Sequence, residues 1–576
     1  MATDMVLEET YDVVVVGSGC GGMVAALRAH DLGLSAIVVE KEQFYGGTSA
    51  RSGGGTWIPL NDAIKDVDSV DKAMAYLRAA TYGAARDECL RAYAENAHVM
   101  TSYLESLGVR SFAVPGYPDY LPDFPGAVNS RGMLPLNADG KMLGEEFFRM
   151  QDSTVFLKAL NRYAIDFRMI GAFTRGPGWQ MTALRMVLDY WLDIPWRLKT
   201  RLDRRLTMGR AMVGGLRKAM MDRNIPLALG LRLVDLDVRN DRVVGGVFER
   251  RGLPVTISAR QAVILATGGF EQNQEMRSAH LPVPSNIDWS LTPINQNVGE
   301  GIAIGKKVGA QIECMDSAWW CPSMKLPDPE TPSAVVTHQV FADRALPFSM
   351  CVDQHGRRFC NEAISYDRFG LALIDAHKKT GAASPCWMIF DKNYRKQYPC
   401  GGLLPSFLMP DWSLPRGTLN SFVFRANSIA ELAKLINIDP KVLADSTEKM
   451  NTAARTGDDP EFGRGSTTYC HFMGDRRVKP NPALGAIEKP PFYAVLIYLG
   501  DLGTNGGIRI DEHGRAMRGD HNAIPGLYAC GNTSGSVFGG YYPGAGGTLG
   551  PAMTFAYLAA NDIAEQARRR NTPSAA

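Results

Sequence analysis

The stretch YDVVVVGSGCGGMVAALRAHDLGLSAIVVEKE, Tyr11 to Glu42, decides the fold: it reads as strand, tight turn, helix, strand. Val13–Val16 form the β-branched run of a buried parallel strand, and Gly17, Gly19 and Gly22 make a GxGxxG turn. Met23–Leu32 have helical character, and Ala36–Val39 form the next strand. Glu40 closes that strand about twenty residues after the glycines, where a carboxylate accepts hydrogen bonds from ribose hydroxyls. The glycines bring backbone close to a pyrophosphate, and the helix N-terminus offers it unpaired N–H donors. Strand, helix and terminal acid in register make this a dinucleotide site.

Working outward, KEQFYGGTSARSGGG supplies a second glycine-rich loop, with Gly46, Gly47, Gly53, Gly54 and Gly55 and the hydroxyls of Thr48, Ser49 and Ser52. A nicotinamide dinucleotide does not need this second cradle. A flavin bound in extended form does, because it requires contacts at both its adenine and its ring ends. QAVILATGGF (Gln261–Phe270) adds an apolar strand ending in Gly268 and Gly269, and IPGLYACGNTSG (Ile524–Gly535) adds another ending at Gly531 and Asn532. The expected cofactor contacts are Gly17, Ser18, Gly19, Gly22, Glu40, Lys41, Gly46, Gly47, Thr48, Ser49, Ser52, Gly53 and Gly54 near the N-terminus. They continue with Leu233, Ala266, Thr267, Gly268, Gly531, Asn532, Gly547 and Leu549. VGEGIAIGKKVGA (Val298–Ala310) has no β-branched strand before it and reads as a helix start, so no second fingerprint supplies an NAD(P)H site.

The chain has 576 residues, too many for one hydrophobic core. Its net charge of +2 favours neither nucleic acid nor acidic partners globally. Ten cysteines lie scattered without CxxC pairing, so no structural zinc is expected and free thiols of a reducing cytoplasm are. MATDMVLEETYDVVVV has no charged segment followed by a long apolar one, and no stretch reaches the length of a membrane span.

The set GSGCGG, GGTSARSGGG, ATGGF and GLYACGN resembles the flavoprotein superfamily of fumarate reductase and succinate dehydrogenase. That resemblance implies an α/β fold: a Rossmann-like FAD-binding domain built from both ends of the chain, with an α+β catalytic domain inserted. The expected bounds are 1–323 and 491–576 for the FAD domain and 324–490 for the catalytic one. Members with covalent flavin carry a histidine beside the second glycine loop, and none lies between Glu40 and Asn61, so noncovalent FAD is expected.

GYPDY, NEAISYDRFG and YYPGAGGTLGPAMTFAY are similar to motifs of 3-ketosteroid Δ1-dehydrogenases, as are SARSGGGTWIPLN, ATGGFEQNQEMR and MDSAWWCP. This resemblance implies flavin-dependent 1,2-dehydrogenation of 3-ketosteroids. The C2-proton acceptor falls on Tyr366 and its supporting phenol on Tyr120. The pair at the C3 carbonyl falls on Tyr542 and the backbone N–H of Gly546, with Tyr541 beside Tyr542 leaving open which phenol faces the substrate. A donor pair at the carbonyl acidifies C2–H by stabilising enolate-like charge. A phenol with an ordinary pKa near about 10 is a weak base at neutral pH, so Tyr120 and the positive charge of Arg368 or Arg358 are expected to assist Tyr366. A short strand is expected ahead of Tyr366. Rival readings on the same scaffold are a 4-ene-forming ketosteroid dehydrogenase and a fumarate reductase-like enzyme. The latter would need arginines and a histidine, where DLGTNGGIRI offers Thr504 and Asn505. A noncatalytic flavoprotein adaptor is the rival from another class.

A basic, aromatic insertion is expected at about 166–218. Leu184, Val187, Leu188, Trp191 and Leu192 share helical spacing, and Arg197, Lys199, Arg201, Arg204 and Arg205 follow Trp196. Such a segment is either a surface helix with a solvated charge face or a peripheral contact with anionic lipid. The second suits an enzyme of membrane-partitioning substrates that passes electrons to a quinone or other acceptor at the inner face of the cell membrane.

Overall fold

Val13, Val14, Val15 and Val16 are almost wholly removed from water, as their unbroken apolar run requires of a strand covered on both faces. They lie in β1 (Thr10–Val16), which pairs in parallel with β2 (Ala36–Glu40) on one side. The computed structural model describes residues 8–154, 158–159, 162–166, 178–282, 284–292, 296–328, 331 and 333–571. Residues 167–177 of the expected insertion and 1–7 of the N-terminal reading lie outside them.

On its other side β1 pairs in parallel with β6 (Leu253–Leu265). β3 (Leu227–Leu229) extends the sheet beyond β2, and β5 (Arg242–Arg250) and β4 (Arg232–Arg239) continue antiparallel beyond β6. The carboxyl end of β6 also takes β12 (Ala523–Ala529) in parallel, from near the far end of the chain. Helix α1 (Cys20–Asp31) packs against the C-terminal helix α7 (Leu549–Asn571), where Arg28 Nε donates to Asn561 Oδ1 at 2.7 Å. The two ends of the sequence therefore share one sheet and one helical layer.

A second sheet has the antiparallel order β7 (Ser349–Val352), β8 (Cys386–Phe390), β10 (Phe492–Ile497), β9 (Val423–Ala426). Its residues alternate between two cores, as a period of two requires. Cys351, Cys386, Met388 and Phe390 pack with Phe369, Leu373 and Ile374 of α6 (Tyr366–Thr380). Met350, Val352, Trp387 and Ile389 pack on the other face with Leu432 and Leu443. The strand pattern that resumes after Pro490 is β10, and it belongs to this sheet; the chain leaves it only after Ile497, past the expected edge at 490.

Candidate active site

Beyond the carboxyl ends of β1, β2 and β6 lies a cavity with roughly 980 Å³ of empty space, open mouth included. Strand order reverses about this point, where doubly wound sheets bind their ligands. Gly17, Ser18, Gly19, Gly22, Glu40, Lys41, Gly47, Thr48 and Ser49 line it from the N-terminal side. Leu233, Ala266, Thr267, Gly268, Gly531, Asn532 and Leu549 complete the wall. The other expected contacts, Gly46, Ser52, Gly53, Gly54 and Gly547, stand outside that lining. Ser52 and Gly54 shape the loop instead: the Ser52 hydroxyl donates to Ser49 O at 2.8 Å and accepts from Gly54 N at 3.0 Å.

The geometry fits FAD. Gly17 has φ +109°, and a Cβ there would overlap the Ala266 carbonyl, so this turn requires glycine. α1 begins at Cys20 with no side-chain cap and no acid in its first turn, and Gly19 to Gly22 line the cavity. α7 likewise begins at the cavity wall without an acid in its first turn. Both positive helix ends thus face the place where a pyrophosphate and an electron-rich ring would lie. Glu40 accepts from Ser18 N–H at 3.0 Å and from Ser18 Oγ at 2.6 Å, which fixes the phosphate turn to the second strand.

The sequence reading passed over part of this wall. The segment Val298–Ala310 is the expected helix, α5 (Glu300–Lys307), but its Glu300 and Gly301 line the cavity together with Asn297. Glu300 holds Lys41 in an ion pair of 2.6 Å. Asn297 Nδ2 donates at 2.6 Å to Glu271, whose carboxyl burial and the nearby Asp501 push up to about 7.

Three phenols converge beside the cavity. Tyr120 and Tyr366 have ring centroids 5.4 Å apart, and Tyr542 stands 5.5 Å from each. All three are buried. Tyr120 comes from a loop held down at Asp119, which ion-pairs with Arg131 at 2.8 Å and accepts from Trp57 Nε1 at 2.7 Å. The Tyr120 N–H and the Tyr76 hydroxyl both donate to the Pro543 carbonyl, tying this loop to the Tyr542 loop. Tyr366 is the first residue of α6, so it is presented by a helix N-terminus. No strand lies between Asp353 and Tyr366; the short strand β7 ends at Val352.

The doubled tyrosine divides. Tyr542 joins the cluster, edge-on to Trp319 at 4.8 Å, whereas Tyr541 leans on Tyr82 at 5.2 Å. Gly546 has φ +96°, and a Cβ there would overlap the backbone of Thr56. Tyr542 is tied to the cavity wall by Thr548, whose hydroxyl donates to it at 3.2 Å. Trp319 Nε1 donates at 3.0 Å to Asn532, which also lines the cavity.

Burial holds the Tyr120 and Tyr366 phenols well above their ordinary pKa. Tyr542 is also raised by burial, with Thr548 and Tyr366 opposing. Neither expected cation touches Tyr366. Arg358 is held by Glu362 and Asp459, both at 2.8 Å, and Arg368 reaches the Tyr82 hydroxyl. The two carboxylates attract the Arg358 guanidinium more strongly than a neutral phenol does. Asp367, buried next in sequence with both oxygens unpaired, has its carboxyl pushed up to about 8 by burial. Sequence reasoning missed Tyr469, whose ring stands 5.5 Å from Tyr120, and Phe341, 4.8 Å from Tyr366. Neither sits in a motif that sets it apart from other buried aromatics. Among the described residues no cluster of histidine, cysteine or acid side chains forms a metal site.

A sheet and helical layer shared by both ends of the sequence, with two helix N-termini facing one cavity, define a flavoprotein that holds FAD. The FAD binding domain family matches residues 12–549. The 3-oxosteroid 1-dehydrogenase of Mycolicibacterium smegmatis is 37% identical, with 97% of this chain and 98% of the relative covered. A 4-oxocyclohexanecarboxylate 2-dehydrogenase of Sinomonas cyclohexanicum is 35% identical, with 97% and 93% covered. The crystal structure of 3-ketosteroid Δ1-dehydrogenase from Sterolibacterium denitrificans, in complex with 1,4-androstadiene-3,17-dione, superposes with a TM-score of 0.92 at 42% identity. It covers 97% of this chain and 100% of that one. The chain belongs to the 3-oxosteroid 1-dehydrogenase family of FAD-dependent oxidoreductases.

Proposed function

We propose that this enzyme introduces the 1,2 double bond into 3-ketosteroids. The observation that carries the reading is the convergence of Tyr120, Tyr366 and Tyr542, from three distant parts of the sequence, beside the FAD cavity. Tyr542 O–H and Gly546 N–H hold the C3 carbonyl oxygen and stabilise the charge that develops there as C2 loses its proton. Tyr366 takes that proton, and the buried phenol of Tyr120, its ring 5.4 Å away, supports it. FAD, when bound, supplies at N5 the acceptor for the hydride leaving C1. The apolar surroundings exclude water and hold ring A in place.

The test is anaerobic titration with a 3-keto-4-ene steroid, followed by product analysis. Bleaching of the flavin with a 1,4-diene product is expected. A 4-ene made from a saturated 3-ketosteroid would favour the rival dehydrogenase, bleaching only by 4-oxocyclohexanecarboxylate would move the substrate to small rings, and no bleaching by any ketone would leave an adaptor. Tyr542→Phe should impair steroid binding and turnover together, while Tyr541→Phe, altering a phenol that leans on Tyr82 outside the cluster, should leave both within about twofold. The reverse pattern would exchange their roles.

No histidine lies between Glu40 and Asn61, so FAD is held noncovalently in this reading. Acid precipitation should release all flavin into the supernatant; colour retained in the pellet would show a covalent bond.

A peripheral membrane contact is the reading we favour for the insertion. α3 (Trp179–Leu192) turns its apolar residues outward: Trp191 is 51% and Leu192 71% exposed, and only Tyr190 is buried. A core helix would do the opposite. Trp179 meets Phe407 edge-on at 5.7 Å, and Trp412 is 87% exposed in the same loop region as Phe407. Lys199 and Arg201 are exposed nearby in sequence, and each basic residue near an anionic surface contributes about 1 kcal/mol. No helix among the described residues is long and apolar enough to cross a membrane. Sedimentation with anionic vesicles should occur at low salt, weaken at high salt and drop several-fold in Trp191→Ser; no sedimentation at any salt would remove the contact. A quinone acceptor would then meet the reduced enzyme at the bilayer.

A further inference from the structure

We infer that Thr548 is a positioning residue that aims the Tyr542 hydroxyl hydrogen at the substrate carbonyl; this rests on Tyr542 being the carbonyl donor. Thr548 stands at the start of α7, where its carbonyl accepts from Ala552 N–H at 3.2 Å. A threonine in this place ordinarily turns its hydroxyl back to accept from an N–H of the first helical turn, a cap worth about 1 kcal/mol. Here the hydroxyl instead donates to Tyr542 Oη at 3.2 Å. The helix gives up a local stabilising bond, and sites where a local rule is broken are where function is to be sought.

A phenol has one hydrogen and lone pairs on one oxygen. With Thr548 and Tyr366 both bonding to the Tyr542 oxygen on its lone pairs, the Tyr542 hydrogen is left to point elsewhere. Trp319 fixes the ring of Tyr542 from its edge but has no hold on the hydroxyl rotor. A hydrogen bond received by the phenol also polarises its O–H, which strengthens the bond it gives. Because Thr548 lines the FAD cavity, one hydroxyl ties the carbonyl donor to the cofactor wall.

The experiment is a double-mutant cycle between position 548 and position 542 in the FAD-loaded enzyme. It is read by kcat and by the equilibrium Kd of a 3-keto-1,4-diene steroid and of its analogue lacking the 3-keto group. Thr548→Val should lower kcat and weaken the ketone about three- to tenfold, leave the deoxy analogue unchanged, and leave flavin content intact. Thr548→Ser should restore both values to within about twofold. On a Tyr542→Phe background Thr548→Val should add no further loss. Equal losses on both backgrounds, or equal weakening of the deoxy analogue, would overturn the inference by showing that Thr548 acts without Tyr542. Should Thr548→Val fail to take up flavin, Thr548→Ala enters the same cycle. If Tyr542→Phe itself changes nothing, the carbonyl-donor reading falls; if it impairs the enzyme and Thr548→Val does not, only the present inference falls.

Discussion

Tyr366→Phe is expected to lower kcat by about 10²- to 10⁴-fold, the range for loss of a positioned proton acceptor, with FAD content unchanged. Phenylalanine keeps the ring contacts to Tyr120, Tyr542 and Phe341, so the substitution removes only the oxygen. The fold should hardly respond. The chemistry has a sign that can be checked in a pH profile: a base works deprotonated, and burial raises the Tyr366 pKa, so its active fraction grows as pH rises. kcat/KM of the wild type should therefore climb from neutral toward alkaline pH, and the climb should vanish in the variant. Exchange of the substrate C2 hydrogen with deuterated solvent gives a second readout and should be lost in parallel. A variant that retains near-normal turnover, climb and exchange would remove Tyr366 from this role.

Gly546→Ala should be nearly as damaging, for a backbone reason. At φ +96° an L side chain is strained, and the added methyl would overlap the Thr56 backbone. Thr56 starts a short strand paired with Gly132 and Met133, and Trp57 beside it donates to Asp119, so the wall has little freedom to retreat. The loop must move instead, carrying its N–H away from the carbonyl. Loss of one oxyanion donor costs about 10²- to 10³-fold in kcat. Steady-state kinetics with a 3-keto-4-ene steroid would measure it, and thermal unfolding would report the strain separately. Normal kcat in a folded Gly546→Ala would exclude this N–H as a donor.

The contrast between these two residues and others in the site shows what a linear reading captures. The cofactor half was legible because Gly17, Gly19, Gly22 and Glu40 act through local geometry: strand, turn and helix follow one another within one segment. Gly46 and Gly54 were grouped with them by composition, yet Gly46 packs against Val213 and Gly54 against the start of α4 (Met208–Asp222). A glycine run records close approach without saying what approaches. The short strand expected ahead of Tyr366 is absent, and Ser365 before it and Asp367 after it mark a helix start instead. The cations expected to assist it lie near it in sequence, but Arg358 is held by Glu362, four residues further on, and by the distant Asp459. Tyr469 was invisible because its importance depends on Tyr120, which stands next to it only after folding.

The pairing of β6 with both β1 and β12 also bears on how the protein is made. During synthesis the first fingerprint is made long before β12, which extends its sheet, and α7, which covers α1, because the whole second sheet lies between them in sequence. Contacts of such long sequence separation form late and slowly. Until β12 and α7 are made, the nascent polypeptide therefore carries a half-built nucleotide cradle, with an unpaired edge on β6 and an uncovered face on α1. Tyr542, Thr548 and Leu549 all come from the segment that follows β12, so the cavity wall and the tyrosine cluster are completed by one and the same stretch of sequence.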